Sequence, residues 1–414
     1  MNETAKPGPA IARPNGTIAL FLPSSNGGGV QRVVLNLAAE LQQRGRSVDL
    51  VLGDTGGPIQ CQVPEGVNVV PLASHGRIPS LARAWHAQSE KRRLLLRPVA
   101  LPVRGPAVVK LLGGLAEYLR SARPSVLLSS KPHANLTAIW ARSLADTDTR
   151  IAIWEHAPLS CDMTGAKRRK WRWHYLRPLV RDVYPHADTI IAVSNGVAED
   201  LARIGIDRAR IHTIYNPVVS QRVSEAAAAS LDHPWFSETA PPVVLSVSRI
   251  TESKDLSTLL RAFARVRANR ASRLMILGEA KAPRDKRRLT KLASELKVRD
   301  SVAFTGFVDN PFAYMARARV LVCSSKWEGF GNVLVEALAC GCPVVSTNCP
   351  TGPAEILQDG RFGRLVPVGD DAAMGEAILR TMDEDRCAAR LQQHANHFSV
   401  AHATDRFLDL FEPG

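Results

Sequence analysis

The stretch "RVLVCSSKWEGFGNVLVEALACGCPVVSTN" (319–348) reads as strand, turn, helix, strand. "RVLVCSS" (319–325) is a continuous apolar run. Gly329, Phe330 and Gly331 make a turn, a helix follows over 332–340, and "PVVSTN" (343–348) is apolar again. Two apolar strands joined by a glycine turn and a short helix form a βαβ unit, the element of a parallel sheet covered on both faces.

The alternation continues outward in both directions. Strands are predicted at 17–23, 47–52, 125–130, 150–156, 188–194 and 210–216, then at 242–249, 273–279 and 301–307. Helical patterns lie between them. In "GGGVQRVVLNLAAELQQRG" (27–45), Val30, Val33, Val34, Leu37, Ala38 and Leu41 recur at helical spacing and Gly45 stops the helix. The segment 217–240 shows no strand and ends in a Pro-rich stretch, so it reads as a linker. The fold class is therefore α/β, with two doubly wound Rossmann-like domains facing a cleft. Their boundaries are a flexible N-terminus at 1–16, a first domain at 17–216, the linker at 217–240 and a second domain at 241–395. The segment 396–414 contains an amphipathic helix, 400–412, expected to cross back to the first domain. In such sheets, ligands bind beyond the carboxyl ends of the strands.

Composition agrees with two globular domains. The chain has 414 residues, 45% hydrophobic and 22% charged. Its N-terminus is polar and Pro-broken, without the apolar core of an export signal, and no run of about 18 apolar residues predicts a membrane span. The seven cysteines show no zinc spacing and read as small buried thiols in a reducing cytoplasm. The net charge is +14, and residues 1–216 hold most of the excess, with 28 Lys/Arg against 16 Asp/Glu. A basic first half points to an anionic partner: nucleic acid, a membrane surface or an acidic acceptor.

Neither half carries G-x-G-x-x-G with a following acid, and no P-loop is present, which argues against nicotinamide and P-loop chemistry. The triplets "DTD" (146–148) and "DED" (383–385) lie between helical patterns, not at strand ends, so no metal is expected.

Glu328 stands at a strand's carboxyl end and Glu336 about one turn into the following helix. The first amides of that helix, at Asn332, Val333 and Leu334, suit an anion. One acid for a sugar, one for a ribose and amides for phosphate fit a nucleotide sugar. Taken alone, the pair also fits a helix whose Glu336 is merely solvated. "SVSRITESKDLSTLLRAF" (246–263) places Arg249 at a strand end and Lys254 before the next helix, two cations suited to a diphosphate leaving group. Gly28 and Gly29, between a strand and a helix, let backbone approach a ligand or simply make a tight turn. "WEHAPLS" (154–160) puts Glu155 and His156 at another strand end.

Together these pieces resemble glycosyltransferase family 4, the retaining group 1 enzymes with the GT-B architecture. The resemblance runs from Gly27 to the final helix and is most specific in 327–357 and "SVSRITESKDLSTLL". It implies that Glu336 grips the ribose and Glu328 touches the transferred sugar. Phe330, Gly331, Asn332 and Val333 would contact sugar and phosphate, Arg249 and Lys254 the diphosphate, and Val308 the base. Gly28 and Gly29 would approach from the first domain, with His156 near the donor sugar and Asn195 near the cleft. In "TGPAEIL", alanine precedes Glu355 where many relatives have a larger residue. The implied reaction is metal-independent front-face transfer with retention, from a UDP-sugar first and a GDP-sugar second, with no cofactor.

"KRRKWRWHYLRPLVR" (167–181) holds seven Lys/Arg and no acid. Lys167, Arg168, Arg169 and Lys170 with Trp171, Trp173 and Tyr175 have the composition of an interfacial segment, and 91–112 adds six more cations. The expected setting is the cytoplasm, peripherally on the inner membrane face. The expected acceptor is a lipid-linked sugar or a lipopolysaccharide, not nucleic acid. The competing readings are a nucleotide-sugar epimerase, a glycogen-type synthase and a non-catalytic basic membrane-binding protein.

Overall fold

The computed structural model describes residues 16–26, 28–54, 56–57, 60–87, 107–160, 176–280 and 282–412. The chain divides into two units. The first is Met1–Ala192, Leu201–His212 and Leu408–Gly414; the second is Val193–Asp200 and Thr213–Phe407.

The first unit is built on seven strands: β1 (Ile18–Leu22), β2 (Val48–Leu52), β3 (Asn68–Pro71), β4 (Val126–Ser130), β5 (Arg150–Glu155), β6 (Thr189–Ala192) and β7 (Ile211–Thr213). Its helices are α1 (Gly29–Gln43), α2 (Arg77–Ala87), α3 (Leu112–Ala122), α4 (Pro132–Ala145), α5 (Leu176–Val183) and the last turn of α6 (Asn195–Ile204), whose first part belongs to the second unit. The sheet order is β3-β2-β1-β4-β5-β6-β7, and the pairs from β3 to β6 are parallel. Strands β1, β2 and β4 are buried along their whole length, because helices cover both faces. Helix α1 buries Val33, Val34, Leu37, Ala38 and Leu41 as its periodicity predicts.

The second unit has strands β8 (Val243–Val247), β9 (Arg273–Leu277), β10 (Val302–Gly306), β11 (Val320–Cys323), β12 (Val344–Thr347) and β13 (Arg364–Val366). Its helices are α7 (Gln221–Ala228), α8 (Leu256–Asn269), α9 (Pro283–Glu295), α10 (Pro311–Arg317), α11 (Asn332–Ala339), α12 (Pro353–Leu357), α13 (Asp371–Asp383), α14 (Ala388–Ala395) and α15 (Val400–Phe411). The order is β10-β9-β8-β11-β12-β13, all parallel. Its core joins Leu259, Leu260 and Phe263 of α8 to Leu274 and Ile276 of β9 and to Met374 and Ile378 of α13.

Both sheets start in the middle and reverse direction once, between β1 and β4 and between β8 and β11. Such a switch point opens a crevice at the carboxyl ends of the two central strands. Each is a Rossmann-like sheet.

Three expectations are corrected. Strands β3 and β13 lie outside the predicted set; both are short edge strands with part of their surface in water. The segment 217–240 is not a linker. It belongs to the second unit, where α7 packs against α10 and α11 and Asn310 Nδ2 donates to the Ala226 carbonyl at 2.8 Å. His233, Phe236 and Tyr314 pack their rings edge to face, and the Arg273 guanidinium lies 4.7 Å from the Trp235 ring centre. The second unit also runs on past 395 to Phe407, and only Leu408–Gly414 joins the first. There Arg150 donates to the Leu410 and Phe411 carbonyls at 3.0 Å each, and Arg46 pairs with Glu412 at 2.6 Å.

Candidate active site

The switch point of the second sheet gathers the sequence-predicted charges. Arg249 and Lys254 follow β8, and Glu328 follows β11, the strand beside it. The Lys254 ammonium pairs with Glu328 Oε1; the two side chains are 24% and 12% exposed. Burial acts most strongly, to lower the Lys254 pKa, but the Glu328 charge and hydrogen bond together with the nearby Cys323 and Cys349 outweigh it, and the ammonium stands above its ordinary value. The same Oε1 accepts from the Ser325 hydroxyl at 2.6 Å, with the Cys323 thiol at 3.8 Å. Burial, then Glu328, pushes that thiol's pKa up, so it stays protonated.

The surrounding backbone is tied down. Ser324 Oγ donates to the Lys254 carbonyl at 2.7 Å, and the Lys326 amide donates to the Ser253 carbonyl at 2.7 Å. The Thr351 hydroxyl donates to the Glu328 carbonyl, and Ser194 Oγ donates to the Gly329 carbonyl at 2.9 Å. Gly352 has φ +86°, and a Cβ there would stand 1.9 Å from the Phe330 carbonyl oxygen. Gly278, at φ +138°, lets the turn after β8 pass: a Cβ would lie 2.0 Å from the Ser248 carbonyl oxygen. Arg249 is exposed just beyond that turn, and Ser248 Oγ is buried with no partner among the described residues.

Helix α11 starts at Asn332 after Gly331. Asn332 Oδ1 accepts from Asn216 Nδ2 at 2.7 Å. One expectation changes here. The Leu334 amide is not free for an anion, because it donates to the Gly331 carbonyl at 2.9 Å. The Phe330 ring is enclosed by its aromatic neighbours. It is buried, stacked on Tyr215 at 5.4 Å and packed edge-on against Phe398 at 5.6 Å, which leaves its backbone for any contact. Glu336 is 7% exposed, which rules out a merely solvated carboxylate. Val333 and Val308 are half-buried, the latter just past β10.

Asn195 stands at the N-terminus of α6, where its amide and that of Gly196 donate to the two Glu355 carboxylate oxygens at 2.8 and 2.9 Å. This is an anion bound at a helix N-terminus. Burial, then Glu355, raises the nearby Tyr215 phenol to about 12.

The first unit places its predicted residues at the same edge of its own sheet. Gly28 and Gly29 open α1 and are exposed; Gly28 is extended, a conformation any residue adopts. His156 follows β5, with its ring centre 4.4 Å from that of Trp154. Its Nε2 is buried without a hydrogen-bond partner among the described residues. Burial, then the Lys131 charge, lowers its pKa to about 3, so the imidazole is neutral. Glu155 is buried and accepts from the Tyr184 hydroxyl at 2.8 Å, so it is no exposed nucleophile. Lys167, Arg168, Arg169, Lys170, Trp171 and Trp173 lie outside the described residues.

Sequence reasoning missed Ser325, Thr351, Gly278, Gly352 and Tyr215. The partners of Thr351, Gly278, Gly352 and Tyr215 are distant in sequence, so no local pattern marks them, whereas Ser325 lies three residues from Glu328, a spacing that could have drawn attention to it.

Residues 27–222 match the family described as glycosyltransferase family 4, and residues 241–384 match glycosyl transferases group 1. The chain belongs to this family. As a family 4 glycosyltransferase it has relatives that act on lipid-linked and lipopolysaccharide glycans. One, from Campylobacter jejuni, is an N-acetylgalactosamine-N,N'-diacetylbacillosaminyl-diphospho-undecaprenol 4-alpha-N-acetylgalactosaminyltransferase. It is 27% identical over 373 residues, 89% of this chain and 91% of that one. Another is the lipopolysaccharide core biosynthesis glycosyltransferase LpsE of Rhizobium meliloti, 33% identical over 55% of this chain and 65% of that one. Among solved structures, Anabaena HepE with UDP-glucose superposes with a TM-score of 0.75 at 18% identity, covering 97% of this chain and 100% of that one. The lipopolysaccharide outer core galactosyltransferase WaaB, in its apo form, superposes with a TM-score of 0.69 at 19% identity, covering 95% and 98%. The two sheets are thus those of the GT-B architecture.

Proposed function

We propose that this glycosyltransferase moves a sugar from a nucleotide sugar, UDP before GDP, onto a lipid-linked or lipopolysaccharide acceptor, with retention and without a metal. The observation that carries the reading is the pairing of Lys254 with Glu328 at the switch point, beside the strand end that bears Arg249. A cation and a carboxylate held together there suit a diphosphate and the sugar attached to it.

Lys254 has three donor hydrogens, and one bond to Glu328 leaves two for phosphate oxygens. Arg249 adds a planar fork for the same group. Each charge-assisted bond is worth about 1.5–3 kcal/mol, and it strengthens as charge develops on the departing phosphate. These two cations perform the stabilisation that a metal performs in other transferases. Glu336 takes the ribose hydroxyls, and Glu328 takes a hydroxyl of the sugar. The backbone of Phe330, Gly331, Asn332 and Val333 faces sugar and phosphate, and Val308 lies beside the base. In the first unit, His156, being neutral, donates or accepts a hydrogen bond without adding charge. The acceptor hydroxyl enters on the face from which the diphosphate leaves, and a phosphate oxygen takes its proton. Support for the donor comes from HepE, solved with UDP-glucose, and for the acceptor from the diphospho-undecaprenol substrate in the Campylobacter relative's name. The basic residues Lys167–Lys170 with Trp171 and Trp173 hold the enzyme at an anionic inner-membrane surface.

A thermal-shift series with UDP, GDP, ADP and CDP, with and without EDTA, tests this. A ligand at about 100 times its Kd adds roughly 2.7 kcal/mol. A UDP shift indifferent to EDTA is expected. A GDP shift moves the donor class, an EDTA-sensitive shift removes metal independence, and no shift with any nucleotide removes the donor site.

A further inference from the structure

We propose that Ser325 is a positioning residue: it locks Glu328 so that one carboxylate oxygen is turned to the donor sugar, and it thereby sets sugar selectivity. The proposal rests on the reading of Glu328 as a sugar-contacting residue.

Three donors converge on Glu328 Oε1: the Lys254 ammonium, the Ser325 hydroxyl at 2.6 Å and the Cys323 thiol at 3.8 Å. No donor among the described residues reaches Oε2. One oxygen is therefore saturated and the other is an open acceptor with a fixed direction. The lock has a rigid base. Ser325 is fully buried, and its carbonyl accepts from Thr347 Oγ1 at 2.6 Å, which ties the end of β11 to β12. The Glu328 backbone is held from the other side by the Thr351 hydroxyl. Both ends of the Glu328 side chain are thus anchored within this unit.

Lys254 cannot supply the direction by itself. An ammonium on a flexible stem is a point charge with no orientational demand. In the proposed reaction it also turns toward the diphosphate. Ser325 has one proton to give and no competing anion, so it remains the donor that holds Oε1 when Lys254 is engaged. A carboxylate free to rotate would meet sugar hydroxyls of either configuration about equally. A locked one discriminates, because a wrong epimer leaves Oε2 desolvated and unpaired.

The test measures affinities of the full chain by calorimetry for UDP and for a panel of UDP-glucose, UDP-galactose and UDP-N-acetylglucosamine. Ser325→Ala should bind UDP as the wild type does, bind the preferred nucleotide sugar about ten-fold more weakly, and discriminate less across the panel. In a Glu328→Ala background it should cause no further loss. Ser325→Cys, a weak donor of similar size, should lie between under reducing conditions and keeps the test available if the alanine variant folds poorly. Equal weakening toward UDP and nucleotide sugar marks a merely structural residue and overturns the proposal. So does an unchanged preference, or an additive loss in the Glu328→Ala background. A wild-type chain that binds none of these nucleotides removes the donor reading itself, an outcome visible before any variant is compared.

Discussion

His156 and Lys254 show how burial sets chemistry at single side chains. The His156 imidazole is held neutral by burial, with the Lys131 charge adding to it, and its pKa of about 3 lies below the ordinary 6.5. The unfolded chain takes up a proton near 6.5 that the folded chain refuses. The stability contributed by this residue is therefore intact above about pH 6.5 and is lost as the pH falls toward 3. Urea unfolding between pH 8 and pH 4 should show that slope, and His156→Asn should flatten it. The same residue should add no inflection to the kcat/KM profile between pH 5 and 8. At Lys254 the prediction has two parts. Lys254→Ala strands Glu328, a group only 12% exposed, and should destabilise the chain by about 1.5–3 kcal/mol in urea unfolding. It should also weaken UDP binding at least ten-fold by calorimetry. Unchanged UDP affinity would remove Lys254 from the diphosphate site.

At the scale of elements, the turn after β8 depends on a residue of β9's own connection. Gly278 has φ +138°, and a Cβ would stand 2.0 Å from the Ser248 carbonyl oxygen. Gly278→Ala should therefore cost more than about 2 kcal/mol, from the left-handed backbone and the clash together. Because Arg249 follows that turn, UDP affinity should fall as well, and a urea midpoint measured beside a UDP titration checks both. Periodicity made the central strands and α1 legible, since fully buried strands read as apolar runs. It missed β3 and β13, whose edge positions leave them half in water. It misread 217–240, because a short helix held by Val223 and an aromatic cluster around Trp235 has no long period. The β11–α11 turn was legible down to Glu328, but the burial of the Phe330 ring was not, since the partners that cover it, Tyr215 and Phe398, lie far away in sequence.

For the whole molecule, charge asymmetry leads to a separate prediction. Reversing the four charges of Lys167, Arg168, Arg169 and Lys170 should lower binding to anionic liposomes, each cation being worth about 1 kcal/mol near such a surface. UDP binding should stay as in the wild type, since Arg249 and Lys254, the cations proposed for the diphosphate, belong to the second unit. Liposome co-sedimentation checks this, and persistent binding would free that segment of its interfacial role. The sequence by itself determined that the chain is a double α/β protein. It did so because burial on both faces of a parallel sheet demands apolar strands, and turns at strand ends demand glycine and charge. It also determined which cations and carboxylates stand at those strand ends. Only the tertiary structure decided that β8 and β11 are neighbours, and that neighbourhood joins Lys254 to a Glu328 lying 74 residues away. Likewise, only packing decided that Glu336 is buried and His156 neutral, because burial and charge coupling depend on distance in space, which a linear pattern does not carry.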